Sequence, residues 1–375
     1  MQTIIRTGLF AVLCIPLIVT DSTFYPFVFG KAIAFQVLIG LLFVLWLILL
    51  ARGEVKLRWT LLNVSLLIFF IMMGLATILS VDRIRSFWST QERMTGFFNM
   101  VHYGLFFLML STLFSKDLFL WLFRFSLLVS LVMGILALGN FAGRLSGTLG
   151  NPGFLAIYMM MHVLFSIFLI IKDRRVLWRI CYGMVLVSDL FILIFTKTRA
   201  VYMGLVIGAI ILLGGLFLKA QLRNRIAGLI LLFVFVFGMI GLLWFDEYRS
   251  LKPSEARIIS WSISWNAFKE KPLLGWGPEN YVIPYAKYFP ADRLPPESSW
   301  FDKAHNIFWE YAVTMGMLGL LAYLTVFIIA GKRALFSAAI IAGYLVAHCF
   351  WIETSSCLIP LYLVFAWTDV DKIRD

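Results

Sequence analysis

The chain has 375 residues, of which 62% are hydrophobic and 14% are charged, and its mean hydropathy is +0.92. A soluble domain is typically about 45–50% apolar and about 25% charged, so this composition excludes a water-soluble enzyme or nucleic-acid-binding protein. Lys and Arg outnumber Asp and Glu by 32 to 20, which gives a formal net charge of +12. In a chain this apolar, the charge indicates orientation in a bilayer rather than a nucleic-acid partner.

Twelve predicted transmembrane helices account for most of the chain, which we expect to be an all-α polytopic membrane protein. A helix needs about 20 mostly apolar residues to cross a bilayer, and irregular backbone is excluded from contact with lipid. The first segment has no small-residue cleavage site, so it is interpreted as an uncleaved helix rather than a signal peptide. The predicted spans are 4–20, 32–50, 61–79, 96–114, 118–138, 153–171, 176–195, 201–218, 226–245, 306–330, 335–351 and 355–368.

Lys and Arg in the connections between spans predict the orientation, because cytoplasmic loops carry an excess of both. With the N-terminus inside, sixteen of these residues fall on the cytoplasmic side and seven fall in the short outer loops. We therefore expect both termini to be cytoplasmic. The seven outer cations are Lys31, Arg83, Arg85, Arg93, Arg144, Lys197 and Arg199.

One outer connection is much longer than the others and contains seven of the eleven prolines, with eight basic and eight acidic residues. A loop of this length is usually functional. Within it, Ile258, Trp261, Trp265 and Phe268 recur at helical spacing, which predicts an amphipathic helix on the membrane surface. The chain accordingly divides into nine spans, the long loop and three further spans, at 1–245, 246–304 and 305–375.

The sequence contains no motif for a metal, a nucleotide or another cofactor. It has no DxD or DxxD carboxylate cluster, no P-loop, no GxGxxG after a strand and no HExxH. The adjacent Asp246 and Glu247 would point apart on a helix. The four cysteines are scattered and form no CxxC pair, so they are interpreted as packing residues.

Four outer-face cations are candidates for binding an anionic group. Lys197 and Arg199 lie in the very short connection before the eighth span, Arg257 lies on the predicted surface helix, and Arg93 lies in the second outer loop. A guanidinium group matches phosphate bidentately, so these residues predict a site for a pyrophosphate. Contact with lipid headgroups, or pairing with a neighbouring acid such as Glu92, is the alternative interpretation.

His305 is the histidine whose position best suits chemistry, because it lies where the long loop re-enters the membrane. An imidazole at such a boundary titrates near neutral pH and acts as a base. His162 and His348 lie inside spans, where a hydrogen bond between helices is the ordinary role. The aromatic stretch after Trp276 suits either stacking on sugar rings or anchoring at the membrane interface.

Several segments resemble, in chain order, the O-antigen ligase and polymerase family, which are membrane glycosyltransferases of bacterial surface polysaccharides. The order of these segments, the predicted topology and the long loop before the last spans together make the resemblance strong. Gly153, Thr198 and Ala200 replace the Asn, Ser and Gly that are usual in the family. The matching segments are Tyr25-Pro26-Phe27 with Gly30-Lys31; Ser86-Phe87-Trp88 with Glu92-Arg93-Met94-Thr95-Gly96; Gly147-Thr148-Leu149-Gly150-Asn151-Pro152; Thr196-Lys197-Thr198-Arg199-Ala200; Arg257 with Trp261 and Pro272-Leu273-Leu274-Gly275-Trp276-Gly277; and Ala304-His305-Asn306 with Gly316 and Gly319.

The resemblance implies a glycosyltransferase that uses no metal or cofactor and acts at the periplasmic face of the bacterial inner membrane. The implied donor is a glycan on undecaprenyl pyrophosphate, and the implied acceptor is a sugar hydroxyl, most consistently that of lipid A–core. The base proposed for the family corresponds to His305, and its pyrophosphate-binding arginines correspond to Arg199 and Arg257. The other expected site residues are Lys197 and Arg93 for pyrophosphate and Asn306, Trp276 and Tyr281 for substrate contacts.

Three alternatives stay open beside the ligase. A polymerase of the same family, which extends lipid-linked O-antigen or makes exopolysaccharide repeats, shares the same chemistry. Protein O-glycosylating members are usually longer, with an additional C-terminal region. A lipid or polysaccharide transporter would place charged residues near the bilayer midplane, whereas, apart from Arg6 and Arg179 at span ends, only Arg124, Asp189 and Glu310 lie within the predicted spans.

Overall fold

The structure is a computed structural model that describes residues 1–139, 143–219, 255–290 and 300–371. All regular secondary structure in these ranges is helical, as the all-α prediction requires. Two short 3₁₀ helices, Ile15–Leu17 and Gly147–Leu149, accompany the α-helices. The α-helices are α1 Gln2–Val12, α2 Phe29–Ala51, α3 Leu61–Ile78, α4 Arg83–Trp88, α5 Phe97–Leu113, α6 Lys116–Gly139, α7 Pro152–Lys172, α8 Val176–Phe195, α9 Arg199–Lys219, α10 Glu255–Glu270, α11 Val282–Tyr288, α12 Ile307–Arg333, α13 Leu335–His348 and α14 Ser355–Asp371.

The predicted spans correspond closely to these helices. Each predicted span except the ninth contains a helix, and the ninth, 226–245, lies outside the described residues. Six helices are long and apolar enough to cross a membrane, namely α2, α3, α6, α7, α8 and α12, and shorter apolar helices occupy the other described spans. The chain is therefore a multi-pass membrane protein. Its exact number of spans and its orientation stay predictions.

Helix α7 lies at the centre of the bundle. In its most apolar stretch 83% of the residues are buried, against 22–56% in the other five long apolar helices. It packs against α6, α8, α9, α13 and α14. A helix that is apolar on all sides is expected to be enclosed by others in this way, whereas the more exposed apolar faces of α2 and α8 suit contact with lipid.

Helix α12 is broken at Gly316, which has a φ of 67° and a ψ of −170°. The break prevents the next turn from bonding to the preceding carbonyls, which must then find other partners. The backbone N–H groups of Trp276 and Gly277 supply them: Trp276 donates to the Val313 carbonyl at 2.9 Å, and Gly277 donates to the Thr314 carbonyl at 2.8 Å. The loop backbone therefore completes the hydrogen bonding that the helix interrupts.

The same docking satisfies the amide groups on the far side of the break and explains the glycines of the motif. The N–H of Met317 donates to the Pro272 carbonyl at 2.7 Å. A Cβ on Gly316 would lie 2.3 Å from the Leu273 carbonyl carbon, and a Cβ on Gly275 would lie 2.5 Å from the Val313 oxygen. Only glycine allows two backbones to approach this closely with positive φ.

Helix α10 occupies the position of the predicted surface helix. Its buried face consists of Ser260, Ile263, Ser264 and Ala267, and it packs against α11 and α12. The predicted apolar face is largely turned outward, since 56% of Ile258 and 50% of Trp265 are exposed. Those side chains are placed to meet lipid, but the location of α10 on a membrane surface stays a prediction.

The docking of the loop into the break of α12 predicts that Gly275→Ala destabilises the protein. Gly275 has a φ of 68°, and its new Cβ would meet the α12 backbone. We expect a loss of about 2 kcal/mol or more, because strain at a non-glycine residue of positive φ adds to the steric clash. The measurement is thermal unfolding of the purified protein in detergent. Gly40→Ala in α2, where a Cβ meets nothing within 4 Å, is the control. Equal unfolding temperatures for the two variants would contradict the prediction.

Candidate functional site

The docking segment, residues 272–280, continues from α12 to the connection around α4. The Ser86 hydroxyl donates to the Pro278 carbonyl at 2.7 Å, and Arg85 Nε donates to the Glu279 carbonyl at 2.8 Å. The Asn280 amide donates to the Asp82 carbonyl at 3.2 Å. These bonds explain why the Ser86 motif and the PxxGxG motif occur in the same chain, and they give Arg85 a structural role.

Glu279 and Lys303 form a buried ion pair beneath this segment. The Glu279 carboxylate also accepts hydrogen bonds from the Thr95 hydroxyl at 2.6 Å and the Ser89 hydroxyl at 2.8 Å. Burial alone would raise the pKa of Glu279, but the charge of Lys303 and these hydrogen bonds outweigh it and lower the pKa. The loop before α5, the docking segment and the residues before α12 are thus joined through one carboxylate.

Glu310 extends this pair into an ion cluster of Glu279, Lys303 and Glu310. Glu310 Oε1 lies 3.2 Å from Lys303 Nζ, and its Oε2 accepts a hydrogen bond from the backbone N–H of Ala304 at 2.8 Å. Burial would lower the pKa of Lys303, but the two carboxylates raise it, so the ammonium group stays charged. Charged side chains can be buried when they are paired with the opposite charge, as this lysine is with the two carboxylates.

The His305 turn, residues 303–306, is held on both sides of the histidine. Glu310 binds the backbone of Ala304, and the Asn306 side-chain oxygen caps α12 by accepting from the N–H groups of Phe308 at 3.0 Å and Trp309 at 3.2 Å. Between them His305 has a φ of 49°, a conformation that a non-glycine residue keeps only where its surroundings impose it. The side-chain oxygen of Asn306 forms the helix cap, and the expected contact of this residue with substrate stays a prediction.

His305 lies among charged side chains that come from three separate parts of the chain. Burial is the main cause that lowers its pKa, the positive charges of Arg257 and Arg93 lower it further, and Asp302 raises it, with a resulting pKa of about 4. Its ring also lies 4.7 Å from the ring of Phe301, between centroids. The imidazole is therefore neutral at neutral pH and able to accept a proton.

The two arginines beside His305 differ in their partners. Arg93 makes a bidentate ion pair with Asp302, at 2.6 and 2.8 Å, and a second ion pair with Glu92 at 3.0 Å. Arg257 makes no hydrogen bond or ion pair within the described ranges, and burial lowers its pKa. Arg257 consequently keeps its donors for a ligand, whereas the fork of Arg93 already holds the acid that lies next to His305. The direct pyrophosphate contact expected of Arg93 stays a prediction.

Arg199 and Lys197 lie at the start of α9 and do not belong to this charged group. Among the described residues, the charges that act on the pKa of His305 come from Arg257, Arg93 and Asp302. Helix α9 runs antiparallel to α13, with a Cβ on Gly204 only 2.5 Å from the Gly343 carbonyl oxygen. Arg199 begins α9 about 7.5 Å before Gly204 along the helix axis, level with the end of α13.

A ring contact links this end of α13 to the helix that carries Arg257. The rings of Trp261 and Phe350 lie 6.2 Å apart, and Phe350 follows α13 directly. Trp261 lies one turn after Arg257 on α10. Arg257 and Arg199 therefore approach the same end of α13 from different helices, but the predicted joint pyrophosphate site stays a prediction.

The two expected aromatic substrate contacts are buried inside the long loop. Trp276 is 5% exposed and its indole N–H donates to the Ala267 carbonyl at 2.9 Å; Tyr281 is fully buried and its hydroxyl is 2.8 Å from that of Ser260. Both pack in one hydrophobic cluster with Ala304 of the His305 turn. Both rings therefore support the His305 turn in this structure, and their contact with substrate stays a prediction.

The sequence reasoning missed the ion cluster, although one signal for it was present. Glu310 falls inside a predicted span, where an ionisable side chain is costly unless it is paired. The cluster lines a small cavity of about 40 Å³ that Asn306 and Glu353 also border. In the described part of the chain, no group of three or more His, Cys, Asp or Glu residues has the geometry of a metal site.

The ion cluster predicts that Lys303→Met is strongly destabilising. Removal of the ammonium group strands two carboxylates in a buried site, which typically costs about 3–5 kcal/mol. The measurement is thermal unfolding of the purified protein. Lys287→Met is the control, because Lys287 pairs with Glu270 in an exposed ion pair of the same loop, which contributes little. A Lys303 variant as stable as the control would show that the cluster is not needed for folding.

Comparison with known proteins identifies the region that contains this site. Residues 182–324 match the family model described as O-antigen ligase, so the resemblance to that family is confirmed. The match includes most of α8, all of α9, α10 and α11 and most of α12, and with them Arg199, Arg257 and His305. No curated protein matches the chain.

Proposed function

From the match to the O-antigen ligase family, we propose that the protein transfers a glycan from undecaprenyl pyrophosphate to an acceptor sugar hydroxyl, most consistently on lipid A–core, at the periplasmic face of the inner membrane. Similarity to this family indicates an enzyme of the ligase or glycosyltransferase kind. The observation that carries the finer proposal is the neutral His305 beside the guanidinium of Arg257, which has no partner among the described residues. Together they supply a base and an anion-binding group within one small site.

Arg257 would bind the pyrophosphate of the donor. A fixed cation beside the leaving group stabilises the negative charge that develops on it as the glycosidic C–O bond breaks. Arg199, and Lys197 two residues before it, would add positive charge from the start of α9. In this scheme Arg93 acts indirectly, by holding Asp302 next to His305.

His305 would act as the general base for the acceptor. Its neutral imidazole takes the proton of the acceptor hydroxyl while that oxygen bonds to the anomeric carbon, and undecaprenyl pyrophosphate leaves from the opposite face with the bonding electrons. A single displacement of this kind inverts the anomeric centre. Binding of the anionic donor offsets the positive charges of Arg257 and Arg93, which raises the pKa of His305 and makes it a better base when substrate is present.

The role of His305 predicts that His305→Gln lowers the rate of transfer by about 10²–10⁴-fold, since a positioned general base contributes that much. The assay follows transfer of a lipid-linked glycan to lipid A–core by the purified protein in vesicles. His102→Gln is the control, because the His102 imidazole bonds only to the Phe98 carbonyl of its own helix. A His305 variant as active as the control, with both proteins folded, would remove His305 from the mechanism.

The charges around His305 predict how activity depends on pH. The base must be neutral, so kcat/KM should fall only as the pH approaches the pKa of His305 in the free enzyme, about 4. Arg257→Gln removes a charge that lowers this pKa, so the acidic limb should move to higher pH. The comparison uses Lys287→Gln, an exposed cation of the same loop, which should leave the limb in place. An acidic limb that does not move in the Arg257 variant would contradict the electrostatic coupling.

The acceptor is tested by deleting the gene and analysing lipopolysaccharide on a gel. The ligase proposal predicts a bare lipid A–core, with polymer retained on the lipid carrier. A core that bears a single repeat would instead identify the polymerase. Unchanged lipopolysaccharide would exclude both and direct attention to another polysaccharide or to protein.

A further inference from the structure

A second pocket, which is polar and has a volume of about 320 Å³, lies on the side away from His305. It lies where α6 begins, α7 ends and α8 begins. The start of α7 contacts Trp351, in the connection that borders the cavity beside the His305 turn. The 21 residues of α7 then span about 30 Å to Lys172 in this second pocket. Its volume is at the lower end of the range for ligand sites, about 300–1,000 Å³.

The pocket is built around one arginine whose guanidinium is fixed. Arg124 Nη2 donates to Asp173 at 2.8 Å, and its Nε donates to the Tyr182 hydroxyl at 2.7 Å. The guanidinium also lies over the rings of Trp121 and Trp178, at 4.6 and 5.1 Å from the centroids. These contacts hold the group rigidly, so little conformational freedom is lost when a ligand binds it.

The charge of the pocket is positive. Four basic side chains line it, against the carboxylates of Asp117 and Asp173, and Asp173 is already paired with Arg124 and Arg175. Lys172 and Arg174 make no hydrogen bond or ion pair in the part of the chain that the structure describes. The positive-inside tendency accounts for cations at this end of the bundle, but it does not account for a concave site with a fixed arginine.

Exposed apolar side chains occur in the lining of the pocket and in the residues that follow it along the chain. Trp121 is 48% exposed, and Val176 and Leu177 at the start of α8 are 69% and 73% exposed. Tryptophan is enriched at the depth of lipid headgroups, and exposed aliphatic residues below that level meet acyl chains. A ligand with both a phosphate and acyl chains would therefore be held better than a free phosphate.

We propose that this pocket binds the phosphate of an anionic phospholipid headgroup, with Lys172 and Arg174 as its ligands beside the fixed Arg124. Arginine and lysine both suit phosphate, and basic pockets between transmembrane helices are typical sites for anionic lipid headgroups. The site is separate from the proposed glycan-transfer site and does not depend on that function.

The test measures binding of palmitoyl-oleoyl-phosphatidylglycerol to the delipidated protein by native mass spectrometry. The Lys172→Gln/Arg174→Gln variant should bind this lipid about 30-fold more weakly, because each cation near the surface contributes about 1 kcal/mol. The control is Lys56→Gln/Lys332→Gln, which removes two exposed cations outside the pocket, from the same end of the bundle. Thermal unfolding establishes that all three proteins are folded.

The proposal requires strong binding by the wild type and the control variant, weak binding by the pocket variant, and weak binding of zwitterionic phosphatidylcholine by all three. Equal binding by both variants would overturn it, since the attraction would then be that of a generally positive surface. Binding of glycerol phosphate, which lacks acyl chains, is measured in the same way. If it binds as tightly as the intact lipid, the pocket is a site for a free phosphate and the lipid proposal is wrong.

Discussion

The structure of the candidate site depends on one constraint, the break in α12 at Gly316. A helix interrupted inside a membrane bundle must have its backbone hydrogen bonds restored by another segment, and residues 272–277 restore them from the long loop. The loop is consequently fixed to the bundle by backbone bonds that do not depend on side chains. Glycines at 275 and 316 make this approach possible, whereas Gly277 lies against Ser80 and Ser86.

From that docking, a short series of contacts leads to His305. The docked loop places Glu279 opposite Lys303, Lys303 joins Glu279 to Glu310, and Glu310 holds the backbone beside His305. The ion cluster thus connects the His305 turn to α12 and holds His305 in its positive-φ conformation. Such strain persists only when several interactions impose it, and here it presents an imidazole to the group that contains Arg257. The arrangement suits a base that must remain neutral next to a cationic binding site.

Most of the helices could be predicted from the sequence. A helix that crosses a membrane needs about 20 apolar residues, and this can be recognised in each segment without knowing its neighbours. His305 and Arg257 were predicted as site residues from local signals, namely their position at the re-entry of the loop and on a helix beside it, and the structure brings the two into one charged group. Arg93, Asn306, Trp276 and Tyr281 were assigned to substrate, and the structure shows that all four side chains have partners within the protein. Such partners depend on how distant segments meet: Asp302, which binds Arg93, lies 209 residues further along the chain.

The central claim is that the protein catalyses a single inverting displacement on a lipid-pyrophosphate-linked glycan without a metal ion. The most direct measurement incubates the purified protein in vesicles with the donor, lipid A–core and EDTA, and determines the anomeric configuration of the product by NMR. We predict release of undecaprenyl pyrophosphate and an inverted glycosidic linkage. A retained configuration, or a strict requirement for a divalent metal, would contradict the account.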